Sequence, residues 1–208
     1  DIKYGISLLE LDKEQPATFE DFYQRYLHCL KVGEQLQIEE SLLSDQIHRE
    51  ILPLPFVSLF LDDCVARGLD CTNGGAVYNT TGLVAVGTAT VADSLYAIKR
   101  LVYDEKKMTL DSLTEILRSN FAGQEYLRQF IMNRFPKFGN DEDCVDRLAV
   151  GITDAFADEL EKHRNGRGGA FWGALYSVSA QVGLGNVCSA TPDGRLEGLP
   201  LSDGLTPM

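Results

Sequence analysis

Two stretches of the chain combine residue types that could hold a small ligand. The first, Asn73-Gly74-Gly75-Ala76, could offer backbone N–H groups to an anion. It has neither the Lys-Ser/Thr pair of a P-loop nor the G-x-G-x-x-G spacing of a dinucleotide site. The second is a strand predicted over residues 171–182, which places Ser177 and Ser179 on one face. Such a polar face often lines a pocket in a mixed α/β protein, and the alternative is a solvent-exposed face.

The cysteines are not spaced as metal ligands or as a redox pair. The five cysteines are Cys29, Cys64, Cys71, Cys144 and Cys188. Their number is odd and no two have C-x-x-C spacing, so the pattern supports neither a zinc knuckle nor a thioredoxin-type site. Scattered thiols are typical of the reducing cytoplasm, and each is expected to be a small buried hydrophobic residue. The cysteine pattern therefore predicts a cytoplasmic protein.

The acidic residues and histidines do not form a recognisable catalytic or metal-binding set. Residues 141–143 and Asp146 supply four carboxylates, the ligand type that a hard cation prefers. However, Asp143 and Asp146 fall in the first turn of a predicted helix, where the helix dipole favours acidic residues anyway. No Ser-His-Asp order and no G-x-S-x-G turn is recognisable. The residues alone therefore assign neither a metal site nor a catalytic group.

The elements that must position these residues are mostly helices in the first half of the chain. A helix that can break near Gly33 is predicted over residues 18–51, because apolar residues recur at helical spacing and prolines follow. A short apolar helix is expected over residues 57–67, with Gly68 as its stop. Residues 83–91 are apolar on both faces, which predicts a buried strand or extended segment.

Helices and strands alternate in the second half. Further helices are predicted to begin near Thr90, Thr109, Gln124 and Asp143, each with an apolar face. Residues 165–169 are glycine-rich and are expected to form a flexible loop. Helices that alternate with two or three strands predict an α/β protein with a partly parallel sheet.

Composition and charge narrow the classes of partner. The chain of 208 residues is 44% hydrophobic and 24% charged, close to soluble-globular averages. Its formal net charge of −12 argues against binding to nucleic acid or to an anionic membrane surface. No apolar run approaches the roughly 18 residues of a membrane span. Because the chain begins with Asp1 and ends on Met208, we expect it to be a segment of a longer protein.

Four short motifs together resemble the glycyl radical enzymes of the pyruvate formate-lyase superfamily. In chain order they are Gly74-Gly75-Ala76-Val77-Tyr78-Asn79, Val91-Ala92-Asp93-Ser94-Leu95-Tyr96-Ala97-Ile98-Lys99, Lys137-Phe138-Gly139-Asn140-Asp141 with Asp146, and Ala190-Thr191-Pro192-Asp193-Gly194-Arg195. Each motif is weak alone, but four in order with compatible gaps are specific. The resemblance is closest to the lyase and dehydratase branch, whose substrates are of the glycerol, diol and choline type.

The resemblance implies a fold and a chemistry. The fold is a ten-stranded α/β barrel wrapped by helices, and residues 1–208 would form part of its pyruvate formate-lyase domain. The family carries a glycyl radical, installed by a separate S-adenosylmethionine-dependent activating enzyme with a 4Fe-4S cluster. The radical oxidises a cysteine to a thiyl radical, which abstracts hydrogen from the substrate, and a glutamate acts as base. Anaerobic metabolism, a cytoplasmic location and a homodimer are implied for the full-length protein.

The chain departs from the family pattern in one decisive respect. The cysteine loop, of Gly-Cys-Val-Glu type, and the radical glycine loop, of Arg-Val-x-Gly-Tyr type, do not occur in it. They would lie upstream and downstream, in a catalytic loop and a glycine radical domain outside the chain. We therefore assign no catalytic residue, no metal ligand and no bound cofactor to this segment, and we expect it to be inactive alone.

What the resemblance implies for this chain is part of a pocket wall. Tyr78, Asn79 and Thr81 are the first candidates for hydrogen bonds that orient a small polar substrate, and Ser177 and Ser179 are the second. The alternative for Tyr78 and Asn79 is a turn that docks the barrel to the helices. The residues of the Pro-Asp-Gly-Arg turn are expected to fix their own loop.

Three hypotheses about function remain open at this point. The first is a glycyl radical lyase or dehydratase. The second is formate acetyltransferase, which is pyruvate formate-lyase proper, acting on pyruvate and coenzyme A. The third is a non-catalytic, degenerate relative, because a fold alone does not establish function.

Overall fold

The computed structural model describes residues 15–206, in which helices outnumber strands. The described residues divide into two units. Unit one comprises residues 15–29, 84–154 and 175–206, and unit two comprises residues 30–83 and 155–174. Among the described residues, no helix is both long enough and apolar enough to cross a membrane.

The first helix, α1, is Phe19–Ile51. Thr18 begins it with a reciprocal cap: its hydroxyl accepts from the Asp21 N–H at 3.1 Å, and its own N–H donates to the Asp21 carboxylate at 3.2 Å. Acidic residues in the first turn and basic residues in the last suit the helix dipole. The predicted helix is confirmed, and it continues through Gly33 without a break.

The region after α1 differs from the single helix predicted over residues 57–67. It forms two short helices, α2 at Pro55–Ser58 and α3 at Cys64–Arg67. Asp63 lies between them with φ of 73°, a left-handed conformation that interrupts the helix. Gly68 ends α3 with φ of 62°, as the sequence predicts. A 3₁₀ turn, Cys71–Asn73, leads from there to the Gly74-Gly75 pair.

The apolar stretch predicted as a strand over residues 83–91 is divided between two elements. Strand β1 is Thr81–Val84, and helix α4 is Thr88–Ile98. Gly87 separates them with φ of 87°, which an L side chain rarely adopts. The prediction of a strand or extended segment is wrong only from Thr88 on, because a short apolar run does not distinguish a buried strand from a buried helix. Helix α4 is almost wholly buried, which explains its uniform apolar character.

Helix α4 leads into the remaining helices and the core of unit one. A π-helical segment, Lys99–Asp104, follows it, and then come α5 at Leu110–Arg118 and α6 at Glu125–Arg134. Thr109 caps α5 as predicted, because its side chain accepts from the Ser112 N–H. The core cluster of unit one consists of Ala97, Leu101, Phe121, Ile131 and Ala190.

The strand predicted over residues 171–182 is wrong beyond its first four residues. After helix α7, Asp143–Leu160, strand β2 is Phe171–Ala174, and helix α8 is Ala180–Val187. Val178, at φ of 55°, ends any extended conformation before α8 begins. Ser177 and Ser179 therefore do not share a strand face. Strands β1 and β2 form a small parallel sheet, so the described fold is α/β.

Candidate functional site

The Gly74-Gly75 pair brings the Tyr78–Thr81 segment close against its neighbours in unit two. A Cβ atom on Gly75 would lie 2.8 Å from Cys64 Sγ and 2.9 Å from Asp70 O, so no larger residue fits without a shift. Gly74 has φ of 75° and would place a Cβ 3.1 Å from Arg167 O. The two glycines are thus required by close backbone approach.

Asp70 stabilises the turn that precedes this pair. Its carboxylate accepts hydrogen bonds from Thr72 N at 2.9 Å, Leu54 N at 3.2 Å and Ser58 Oγ at 2.9 Å. Burial acts to raise the pKa of Asp70, but the hydrogen bonds outweigh it and hold the pKa at about 2. This carboxylate is therefore a structural anion at neutral pH.

The three first candidates differ in how much of each side chain is free. Tyr78 is 94% exposed. Asn79 is half-buried, and its Nδ2 donates to Ala76 O at 3.2 Å while its Oδ1 is buried without a hydrogen-bond partner. Thr81 begins β1, where its N–H donates to Ala170 O at 3.0 Å. Of the three candidates, Tyr78 alone is therefore exposed, and its phenol is free to meet a ligand.

These three residues share one cleft of about 500 Å³ in unit two. Helix α1 contributes Ser41, Ser44, Asp45 and His48 to the lining of this cleft, and Arg167 lines it as well. Hydroxyl, amide and imidazole groups that converge on such a volume can hydrogen-bond a small polar molecule. Tyr78, Asn79 and Thr81 are thus brought together at one potential binding site.

The residues that hold the Tyr78–Thr81 segment lie at 165–169. They were not identified from the sequence, because it predicts a flexible loop there. Asn165 is 4% exposed, and its Nδ2 donates to Asn79 O at 2.5 Å and to Thr81 Oγ1 at 3.0 Å. Its Oδ1 accepts from the N–H groups of Arg167 and Gly169, at 3.0 and 2.8 Å. This is an Asx turn, for which an Asn that begins a glycine-rich stretch was the available signal.

The second candidates lie in unit one and have different surroundings from each other. Ser177 is 4% exposed, and its hydroxyl donates to Asp203 Oδ1. Ser179 is exposed and precedes α8 without a side-chain cap. The Ser177 hydroxyl is thus already hydrogen-bonded within the protein, whereas the Ser179 hydroxyl is available to a ligand.

A cavity of about 580 Å³ in unit one is lined in part by the Pro-Asp-Gly-Arg turn. Arg195 is 5% exposed, and its guanidinium donates to Thr191 Oγ1 at 3.2 Å, Leu196 O at 3.1 Å and Leu199 O at 2.7 Å. The Asp193 carboxylate accepts from the Thr191 hydroxyl. Both side chains therefore fix their own loop, as predicted.

Three of the four sequence motifs meet at Asp93 in unit one. Asp93, on α4, is 2% exposed, and it accepts from Phe138 N at 2.8 Å and lies 3.6 Å from Lys137 Nζ. Lys137 Nζ also donates to Asp193 O at 3.0 Å. Burial raises the pKa of Asp93 to about 6, while Phe138 N–H and Lys137 act to lower it. We call Asp93, Lys137, Phe138 and Asp193 the Asp93 junction.

The acidic residues near the start of α7 and two of the cysteines can also be placed in the structure. Asp146 Oδ1 accepts from Gly139 N at 3.2 Å, and Asp143 pairs with exposed Arg147 at 2.8 Å. Within residues 15–206, no three His, Cys, Asp or Glu side chains form a group that could hold a metal ion. Cys64 is buried as expected, but the prediction for Cys144 is wrong, since it is exposed on the first turn of α7.

Comparison with known proteins identifies a family that matches most of this chain. The family model described as pyruvate formate lyase-like matches residues 3–185. A trans-4-hydroxy-L-proline dehydratase from Clostridioides difficile is 33% identical over 196 residues, which are 94% of this chain and 25% of that protein. The chain therefore spans about a quarter of the length of the curated relatives it matches.

Two solved structures superimpose closely. One, from Roseburia inulinivorans, concerns 1,2-propanediol dehydration and matches with a TM-score of 0.89 and 39% identity, over 93% of this chain and 25% of its own. A glycyl radical enzyme from Archaeoglobus fulgidus matches with a TM-score of 0.88 and 35% identity, over 94% of this chain and 25% of its own.

Proposed function

We propose, since the chain belongs to the pyruvate formate lyase-like family, that the whole protein is a glycyl radical lyase or dehydratase acting on a small polar substrate. The observation that carries the proposal is the match to the structure for 1,2-propanediol dehydration, at a TM-score of 0.89 and 39% identity. The hydroxyproline dehydratase supports the same class of reaction. Both similar proteins are concerned with dehydration, which favours dehydration over acyl transfer from pyruvate to coenzyme A.

The role we propose for this chain is to supply part of the substrate pocket. Tyr78, Asn79 and Thr81 are its first residues, because they share a polar cleft and their backbone is held by hydrogen bonds. The exposed Tyr78 phenol would donate to or accept from a substrate hydroxyl. Ser179 and Ser177 remain second candidates, and of the two Ser179 has the available hydroxyl.

Radical chemistry is not assigned to any residue of this chain. The family's glycyl radical and thiyl radical need a glycine loop and a cysteine loop, and neither motif occurs among these residues. When present, these groups would supply hydrogen abstraction from the substrate. The chain's own residues would bind the substrate, orient its hydroxyl groups and exclude water from the site.

The larger assembly is also part of the proposal. We propose a ten-stranded barrel to which β1 and β2 contribute, a radical S-adenosylmethionine activating enzyme as partner, a homodimer, and a cytoplasmic location. The match to the Archaeoglobus fulgidus enzyme supports the barrel, and the partner, the homodimer and the location are what the resemblance of the four motifs implies.

The test is anaerobic activation of the whole protein with its activating enzyme. We expect a glycyl radical doublet in the electron paramagnetic resonance spectrum and conversion of propane-1,2-diol or glycerol to the aldehyde. Formate production from pyruvate and coenzyme A would replace the proposal by the acetyltransferase. A protein with neither signal nor product would be a non-catalytic relative.

A further inference from the structure

The Asn165–Gly169 turn is anchored on α1 through a partly buried ion pair in unit two. Asp45 lies on the buried side of α1, and its two carboxylate oxygens accept from Arg167 Nη1 and from Gly166 N, the latter at 2.9 Å. Charge-assisted hydrogen bonds of this kind are stronger than neutral ones. The Arg167 guanidinium is thereby held at a fixed place against α1.

The second terminal nitrogen of the same guanidinium, Nη2, contacts the Tyr78–Thr81 segment. Arg167 Nη2 donates to Thr81 Oγ1 at 3.0 Å and to Asn79 O at 3.4 Å. A guanidinium presents donors in a rigid planar fork, so it can bridge the Asp45 carboxylate and the Tyr78–Thr81 segment at once. A lysine ammonium is a point charge and does not offer this fork.

Close packing fixes the turn and the segment against each other. A Cβ on Gly169 would overlap Asn79 Oδ1 and O and would lie 2.9 Å from Asn79 C. Asn79 Nδ2 in turn donates to Arg167 O at 3.5 Å. With Asn165 bound to Asn79 O as well, the segment has little room to slide relative to the turn.

From these contacts we infer that Arg167, anchored by Asp45, is a positioning residue that sets where Tyr78 and Asn79 are presented to the substrate. This inference rests on the proposed function. Arg167 acts through the Asn79 carbonyl and Thr81 Oγ1, to which its Nη2 donates, while its Nη1 pairs with Asp45.

The first arm of the test measures the segment itself and needs no activity. The double variant Asp45→Asn/Arg167→Gln removes both charges, which avoids leaving one of them buried without a partner. Loss of hydrogen bonds to a charged group corresponds to a tenfold to hundredfold change, roughly, in a local equilibrium. We expect amide hydrogen exchange in residues 76–82 to accelerate by about tenfold or more, including the Thr81 N–H that bonds Ala170 O.

The matched control is an exposed ion pair on α7. Asp143 and Arg147 lie 2.8 Å apart with side chains 84% and 81% exposed. The variant Asp143→Asn/Arg147→Gln removes the same two charges, and it should leave exchange in residues 76–82 unchanged. Unchanged exchange in the Asp45→Asn/Arg167→Gln variant as well would overturn the inference, whatever the activity of the protein.

The second arm uses the activated whole protein with propane-1,2-diol. For Arg167→Lys we expect KM to rise about tenfold with kcat and radical yield little changed, since a misplaced wall weakens ground-state and transition-state binding alike. A lower kcat with unchanged KM would mean loss of active fraction, and hence a merely structural residue. Absence of a radical and of turnover in the wild type would contradict the proposed function, and the exchange arm would still decide whether Arg167 holds the segment.

Discussion

The Asp93 junction in unit one and the Tyr78–Thr81 segment in unit two are both built on motifs of the sequence, but they are held in opposite ways. At the junction the charged groups point inward: Asp93 is 2% exposed and Lys137 lies 3.6 Å away. In the segment the charged pair Asp45–Arg167 is bonded to the Asn79 carbonyl and to Thr81 Oγ1, and the neighbouring Tyr78 is 94% exposed. A motif of buried charges stabilises the fold, whereas a motif with a fixed backbone and a free side chain can present a group to a ligand.

The largest expected effect comes from opening the Asp93 junction. Lys137→Ala leaves the Asp93 carboxylate buried without its cation and removes the donor to Asp193 O. We expect the free energy of unfolding to fall by about 3–5 kcal/mol in urea titrations. Arg147→Ala, at an exposed pair, should change it by about 0.5 kcal/mol or less. Equal small effects for both variants would mean that the junction is not a stabilising centre.

A second test concerns the backbone of unit two. In Gly75→Ala the new methyl group would meet backbone oxygens of Leu69 and Asp70 that cannot move aside as a flexible side chain can. The expected loss is roughly 3 kcal/mol, the upper end for overpacking. Gly82→Ala is the control, because nothing lies within 4 Å of its Cβ position. A Gly75→Ala protein as stable as Gly82→Ala would contradict the close approach that we describe.

A buried carboxylate outside both regions gives a pH test. Glu34 on α1 is 3% exposed, and burial together with the nearby Glu159 raises its pKa from 4.5 to about 7. Since the folded state binds this proton more tightly, Glu34 lowers stability progressively as pH rises from about 4.5 to 7.

Glu34→Gln should therefore raise the free energy of unfolding by roughly 1–3 kcal/mol at pH 8 and leave it unchanged near pH 4. Urea titrations at the two pH values measure this difference. A stabilisation of equal size at both would show that a packing effect, and not the charge, is responsible.

The smallest expected effect separates two serines that the sequence treats alike. Ser177→Ala removes a buried hydroxyl that donates to Asp203 and should cost about 1–2 kcal/mol. Ser179→Ala changes an exposed hydroxyl and should cost about 0.5 kcal/mol or less. Thermal melts of the two variants would contradict this distinction if their midpoints were lowered equally.

The sequence predicts the local features of this fold well. Helix α1, the Thr109 cap and the Gly68 stop follow from periodicity and from residues next to each other in the chain. The resemblance to the pyruvate formate-lyase superfamily is also confirmed, by the family match over residues 3–185. Local periodicity was wrong at residues 171–182, where alternating serines suggested a strand and Val178 adopts a positive φ.

The contacts that build the candidate site could not be read from neighbouring residues. Asn165 meets Asn79 across 86 positions, and Arg167 meets Asp45 across 122. No rule of local spacing predicts either pair. The glycines at residues 166, 168 and 169 therefore suggested a flexible loop, whereas the structure has an ordered turn there. The role of Tyr78, Asn79, Thr81, Ser177 and Ser179 in binding a substrate stays a prediction.

The most direct test of the central proposal is the KM of the whole, activated protein for propane-1,2-diol before and after Tyr78→Phe. This change removes one exposed hydroxyl and should leave both stability and the glycyl radical signal as they are. We predict a KM about tenfold higher, because one hydrogen bond to the substrate is lost. An unchanged KM and kcat would remove the Tyr78–Thr81 segment from the substrate site.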